Sequence, residues 1–264
     1  KPISFVLGST DHGTMIVNRN DFHRTKNGTY GVGMQILTHS SYDQIEVNLA
    51  TRLIEKRRQY YKEGVIALDC GANIGVHTIE WAKNMTEWGE VFSFEPQEKI
   101  YYALSGNIAI NNCFNVTAKN VALGSEIGKI EIPIPNYNKP SSYGSLELKK
   151  KKNNEFIGQE IDYQNTKQID MLSIDSLKLN RIDFIKIDVE GMEEEVLKGS
   201  TISINRFYPI LLIEHIKSDI NSLKNFLVKK NYEIFVVGMN ILAIHKEDPA
   251  LKDINIKGGI LNII

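Results

Sequence analysis

Apolar residues fall in short runs along this chain, and the runs alternate with segments in which they recur every three or four positions. Val65–Cys70 is a nearly continuous apolar run between Gly64 and Gly71, the pattern of a strand buried on both faces. Residues 75–85 follow, with Val76, Ile79, Ala82 and Met85 at helical spacing. Residues 91–94 repeat the strand pattern, 100–110 the helical one with Leu104, Ile108 and Ala109 inward, and 116–123 read as a third strand. Two β-α crossovers within about sixty residues predict a parallel sheet covered by helices on both faces.

The alternation then breaks. Residues 129–135 read as a hairpin arm, with Pro133 and Pro135 suited to a sheet edge. Residues 136–167 are polar, contain four successive lysines from Lys149 to Lys152, and predict an exposed insertion whose lysines are solvated. The pattern resumes with a strand at 182–188, a short helix over Glu193–Lys198, a strand at 209–214 and a helix at 218–230. Tyr232–Val237 and residues 241–245 are predicted as an antiparallel pair joined by Gly238, Met239 and Asn240. In the first sixty residues only 42–61 has a clear period, with Ile45, Leu49, Leu53 and Ile54 on one helical face. The expected division is therefore a helical and irregular region at 1–62, on the substrate side, and an α/β domain at 63–264 with an insertion at about 136–167.

Composition narrows the classes. The 264 residues carry 31 Lys+Arg against 32 Asp+Glu, a net charge of −1, and 42% are hydrophobic. That balance excludes a disordered chain and gives no electrostatic ground for a nucleic-acid partner. The cysteines, Cys70 and Cys113, are too few for a disulfide scaffold or a Cys-rich zinc site and fit a reducing, cytoplasmic setting. No apolar run approaches the roughly 18 residues of a membrane span. The start, Lys1-Pro2-Ile3, lacks both Met and a signal-peptide pattern, as expected of a trimmed fragment.

Chemistry concentrates at strand ends. Asp69-Cys70-Gly71-Ala72-Asn73-Ile74-Gly75 links the first strand to its helix. Gly71 permits a sharp turn, and Gly75 lets a ligand or the sheet come close to the helix start, whose free amides favour anionic groups. In open α/β sheets ligands bind at this end of the strands. Glu95, in Phe94-Glu95-Pro96, ends the next strand, where a carboxylate can accept both hydroxyls of a ribose. Loop and carboxylate together indicate an adenosine-bearing cofactor. A dinucleotide site would want G-x-G-x-x-G, but Asn73 holds the middle position, and no Gly-Lys-Ser/Thr is present as in a P-loop. S-adenosylmethionine (SAM), with one carboxylate and no pyrophosphate, suits such a loop. His77, at the start of the helix, is read as lining the cofactor side.

These segments, with Asn120-Val121-Ala122-Leu123-Gly124, Ile185-Lys186-Ile187-Asp188-Val189-Glu190-Gly191 and Pro209-Ile210-Leu211-Leu212-Ile213-Glu214, resemble the FkbM family of SAM-dependent methyltransferases. The likeness runs from about Gly64 to His215, and its most specific part is the Lys-Ile-Asp-Val-Glu-Gly block. It implies a Rossmann-like class I fold: a mostly parallel seven-stranded sheet with a C-terminal antiparallel strand. It also implies O-methylation of a sugar, glycan or natural-product hydroxyl. Carried over residue by residue, it sets Asp69, Gly71, Ala72, Asn73, Gly75, Thr78, Glu95, Pro96, Asn120, Val121, Ala122 and Asp188, beside His77, toward the cofactor.

Methyl transfer to a hydroxyl needs alignment and removal of a proton, so a carboxylate or imidazole is sought near the acceptor. Asp188, Glu190, Glu214 and His215 end the fourth and fifth strands and are expected in one crevice. Asp188 either takes the proton or orients the cofactor's amino group. Glu190 caps the following helix in the plainer reading, Glu214 supports a neighbour, and a lone histidine such as His215 is more often structural. No metal ligand set is required, although a magnesium-dependent variant would use Asp188 and a further carboxylate. Three other readings compete: a SAM-binding module without turnover, an N-methyltransferase, and a nicotinamide dehydrogenase. The second lacks the Asp/Asn-Pro-Pro-Tyr/Phe strand end typical of base-directed amino methylation, and the third lacks the middle glycine.

Overall fold

The computed structural model describes residues 3–26, 28–257 and 260–263. Its centre is a seven-stranded sheet. From one edge to the other the strands are Tyr232–Val237, Asn240–His245, Ile210–Glu214, Phe184–Ile187, Val65–Cys70, Gly89–Phe94 and Val116–Lys119. All neighbours from Ile210–Glu214 to Val116–Lys119 pair in parallel, whereas Asn240–His245 is antiparallel to both strands beside it. This is the Rossmann-like class I arrangement implied by the resemblance. The antiparallel strand slots in beside Ile210–Glu214 because Gly238, at φ +58, and Met239 reverse the chain within two residues.

Alternate residues of each central strand enter opposite core layers. Ile210 and Leu212 join Val47, Ala50, Leu53 and Ile54 of the helix Gln44–Tyr61, together with Ile79 and Ala82 of Val76–Asn84. Leu211 and Ile213 join Val196, Leu197, Ile204, Leu223 and Leu227 from the helices Glu193–Lys198, Thr201–Phe207 and Ile220–Val228. Burial of each leucine, isoleucine or valine among them contributes about 1.5–3 kcal/mol, so both layers hold the strand ends in register.

Several segments differ from the sequence expectation. The run at 116–123 is not one strand: Val116–Lys119 lies in the central sheet, and Ala122–Leu123 joins a separate three-stranded sheet with Thr166–Leu172 and Gly128–Pro133. Gly128–Pro133 is an edge strand of that sheet and ends at Pro133, where a missing N–H does least harm. The insertion at 136–167 is not wholly exposed. Tyr143 is fully buried, Leu146, Leu148 and Ile157 are buried, and a 3-10 turn forms at Tyr143–Ser145. The first sixty residues add two β-hairpins, Phe5–Thr10 with Gly13–Asn18 and His23–Thr25 with Gly28–Tyr30, and a helix, Val32–His39. Among the described residues no helix is long and apolar enough to cross a membrane.

Candidate active site

The carboxyl ends of the central strands open into a cleft of about 340 Å³, within the range of small-molecule sites. The glycine loop forms its floor. Gly71 and Ala72 donate their N–H groups to the Phe94 carbonyl at 3.0 and 2.9 Å, which folds the loop back over the neighbouring strand. Gly71 has φ +88, and a Cβ there would overlap the Asp188 carbonyl oxygen, so only glycine allows these two strand ends to touch. Asp188 closes the contact by donating its N–H to the Cys70 carbonyl at 2.9 Å.

Glu95 stands on one side of the loop. It is 4% exposed. Its Oε2 accepts the Asn73 N–H at 3.0 Å and its Oε1 the Gln97 N–H at 2.8 Å. Burial pushes its carboxyl up to about 8, although the two backbone donors pull the other way. Asn120 holds the turn behind it, donating from Nδ2 to the carbonyls of Glu95 and Pro96 at 2.8 and 3.0 Å.

Asp188, Glu190 and Glu214 gather on the other side. Each offers a carboxylate oxygen within 4.8 Å of the others, a spacing that could also hold a hard cation. Lys186 Nζ lies 2.7 Å from Asp188 Oδ2, and Lys217 Nζ lies 2.7 Å from Glu190. Burial first, and the Asp188 charge second, push the carboxyls of Glu190 and Glu214 well above the ordinary range.

Of the residues singled out from the sequence, Asp69, Gly71, Ala72, Asn73, His77, Glu95, Pro96, Val121, Ala122, Asp188, Glu190 and Glu214 line this cleft. Gly75, Thr78, Asn120 and His215 are not among its lining residues. Gly75 turns the chain into the helix at φ +93 and packs on Leu104. Thr78 is buried beneath the loop, donating from Oγ1 to Asp69 Oδ2 at 2.6 Å. His215 gives its N–H to the Met239 carbonyl at 3.1 Å, and its Nε2 is buried with no hydrogen-bond partner among the described residues.

Other wall residues come from the N-terminal region, expected on the substrate side, and from the insertion, and none of them is singled out individually in the sequence. Glu46, from the helix Gln44–Tyr61, reaches His77 Nε2 at 3.3 Å and accepts from Asn240 Nδ2 at 2.6 Å. A signal for it exists: Glu46, Ala50, Leu53 and Arg57 share one helical stripe, so a carboxylate there has to face inward. The insertion supplies Ser142, Gly144, Ser145 and Leu146. It is tied down by Gln97, which donates from Nε2 to the Tyr143 carbonyl at 2.9 Å, and by Asp21, which accepts the Tyr143 N–H at 3.0 Å. Lys217 fastens its far side, bonding the Ser145 carbonyl at 2.6 Å and Glu155 at 2.9 Å. Of the four lysines, Lys149 pairs with Glu195 at the surface, whereas Lys151 reaches in to the buried Glu147.

The methyltransferase FkbM domain family matches residues 69–234, the stretch that carries the glycine loop, Glu95 and the carboxylate group. The chain belongs to the FkbM methyltransferase family. Among curated relatives, methyltransferase sdnD of Sordaria araneosa is 30% identical over 157 residues, covering 50% of this chain and 59% of that protein. Methyltransferase 1 of Beauveria bassiana is 25% identical over 144 residues, covering 50% of this chain and 57% of its own length. The chain thus spans under three fifths of the curated relatives it matches. A solved FkbM methyltransferase from Methylobacillus flagellatus KT is 20% identical, with a TM-score of 0.49 over 69% of this chain and 43% of that one. In this FkbM chain the segments outside the family match, 1–68 and 235–264, bring Tyr30, Tyr42, Glu46, Met239 and Asn240 to the same cleft.

Proposed function

We propose that this FkbM domain binds SAM across the carboxyl ends of its central strands and methylates a hydroxyl of a sugar, glycan or natural-product acceptor. One observation carries the reading: the glycine loop, Glu95 and Asp188, from three adjacent strands, line a single cleft. The fit to the cofactor rests on the donor set. Glu95 keeps oxygen lone pairs free beyond its two backbone bonds, enough to accept a ribose diol. Pro96, Val121 and Ala122 offer a mostly apolar wall for a base, and Asp69, Gly71, Ala72, Asn73 and His77 border the methionine end. When bound, SAM supplies an electrophilic methyl group on a sulfonium leaving group.

The residues of the chain then have to hold the acceptor and take its proton. Asp188 takes that proton, because it ends the strand in contact with the glycine loop and is held from behind by Lys186. Glu190 and Glu214, raised by burial and by Asp188, keep their own protons near neutrality and donate to other hydroxyls of the acceptor. The insertion residues Ser142 to Leu146 exclude water from the cleft, and Tyr30 with Glu155 borders the acceptor side.

The test is incubation with methyl-labelled SAM and a panel of sugars, glycans and hydroxylated natural products, read by mass spectrometry. The reading expects one methyl on a hydroxyl oxygen. It also expects Asp188→Asn to lower kcat at least about a hundredfold with far less change in SAM affinity. Methyl on nitrogen would refute the acceptor class, and a large loss of SAM affinity with kcat intact would make Asp188 a cofactor ligand.

A further inference from the structure

Lys186 has no part in the proposed chemistry except as a neighbour of Asp188, yet its placement is unusual. It sits on the strand Phe184–Ile187 at the centre of the sheet, beside Asp69 in register, and is 4% exposed. Its Nζ lies 2.7 Å from Asp188 Oδ2 and 3.9 Å from Glu46 Oε1, and it lines the cleft. Ionised ammonium groups lose hydration on burial, and an apolar side chain at such a position is often the more stable choice. A strand flanked by Ile185 and Ile187 gives no packing reason for lysine.

The charge balance gives one. The wall that joins the glycine loop to Asn240 carries the carboxylates of Asp69, Glu46 and Asp188. A sulfonium donor is cationic at sulfur, and its demethylated product, S-adenosylhomocysteine (SAH), is neutral there. Carboxylates without a counter-ion would hold the donor through a charge that is dispersed as the methyl leaves. Attraction spent on the ground state and lost in the transition state slows the chemical step.

We propose that Lys186 is the internal counter-ion of this wall, and that its charge sets how strongly the cleft prefers a sulfonium donor over the neutral thioether product. The proposal rests on the SAM reading. It assigns Lys186 to donor and product discrimination, not to proton transfer, and Glu46 to the same balance with the opposite sign.

The experiment is calorimetric titration with SAM and with SAH of the wild-type chain and of Lys186→Met, Lys186→Arg and Glu46→Gln, each checked for a cooperative unfolding transition. Lys186→Met removes one positive charge at nearly constant volume. The ratio Kd(SAH)/Kd(SAM) should then rise roughly tenfold, the order expected of one unit charge acting inside a cleft of effective dielectric near 20. Lys186→Arg, which keeps the charge, should leave the ratio within about twofold of wild type, and Glu46→Gln should lower it. An unchanged ratio in folded Lys186→Met, or a ratio in Lys186→Arg that moves as far as in Lys186→Met, overturns the proposal. Should Lys186→Met fail to fold, Glu46→Gln decides, and an unaltered ratio there overturns it as well. Wild-type protein that binds neither ligand would instead remove the SAM reading, so the two failures are distinct.

Discussion

Gly71→Ala separates what the glycine loop does for the fold from what it does for a ligand. Gly71 adopts φ +88, outside the regions that alanine favours, and its α-carbon faces the adjoining strand. The added methyl would overlap the Asp188 carbonyl oxygen and come within 2.8 Å of the carbonyl carbon, both backbone atoms that cannot rotate away. The conformational cost is about 1–2 kcal/mol, and forcing a backbone contact apart adds about 1–3 kcal/mol. The expected loss is therefore roughly 2–5 kcal/mol, or about 5–15 °C in Tm for a chain of this size. Gly238→Ala is the control, because Gly238 also has a positive φ, +58, but a Cβ there meets nothing within 4 Å. It should cost only about 1 kcal/mol. Urea and thermal unfolding of both variants give the comparison, and calorimetry with SAH reads the cleft. Gly71→Ala should also weaken SAH at least about tenfold, since the shift separates the loop from the Asp188 strand end. Equal destabilisation by the two substitutions would refute the claim that loop and strand meet through Gly71.

Two further expectations concern pH. Burial raises the Asp21 carboxyl from 3.8 to about 6, against the opposing hydrogen bonds from Tyr143 and Gly33. The folded state thus holds this proton more tightly than the unfolded state, and stability falls as pH rises from 3.8 through about 6. Asp21→Asn cannot titrate, so its stability relative to wild type should grow by up to about 3 kcal/mol between about pH 4 and pH 7 in urea titrations. A flat difference would mean that Asp21 is not the buried tie between the N-terminal region and the insertion. Glu95, raised to about 8, must lose its proton to accept a ribose diol as a carboxylate. SAH affinity should therefore rise with pH and level off above about 8, with proton release in calorimetry near neutrality. Affinity independent of pH across that range would take Glu95 out of contact with the ligand.

The central sheet is legible because its inner strands are buried on both faces and read as nearly continuous apolar runs, as in Val65–Cys70 and Phe184–Ile187, interrupted only by Asp69 and Lys186. Where a strand has one wet face the signal fades. Thr166–Leu172 buries only Ile169 and merges with the polar tail of the insertion, and the hairpin Phe5–Thr10 with Gly13–Asn18 is diluted by Gly8, Ser9 and Thr14. The helix Thr201–Phe207 gives no helical signal because Thr201, Ile202 and Ile204 are β-branched, a composition that favours strands. In the cleft, the loop, Glu95 and the carboxylates follow from strand ends alone. Glu46, Tyr143 and Lys217 do not, because their places depend on contacts between segments far apart in sequence: Glu46 with Asn240, Tyr143 with Asp21, Lys217 with Ser145. The insertion differs from its sequence expectation for a related reason. Its polar composition conceals Tyr143, Leu146, Leu148 and Ile157, spaced too widely to form a period but all buried against the cleft and its supports.

The most direct measurement is calorimetric titration of the wild-type chain with SAM, SAH and NAD under one set of conditions. The account predicts 1:1 binding of SAM and SAH, with both lost or strongly weakened in Glu95→Ala, and no comparable binding of NAD. Tighter binding of NAD, or SAM and SAH affinities untouched by Glu95→Ala, would contradict it.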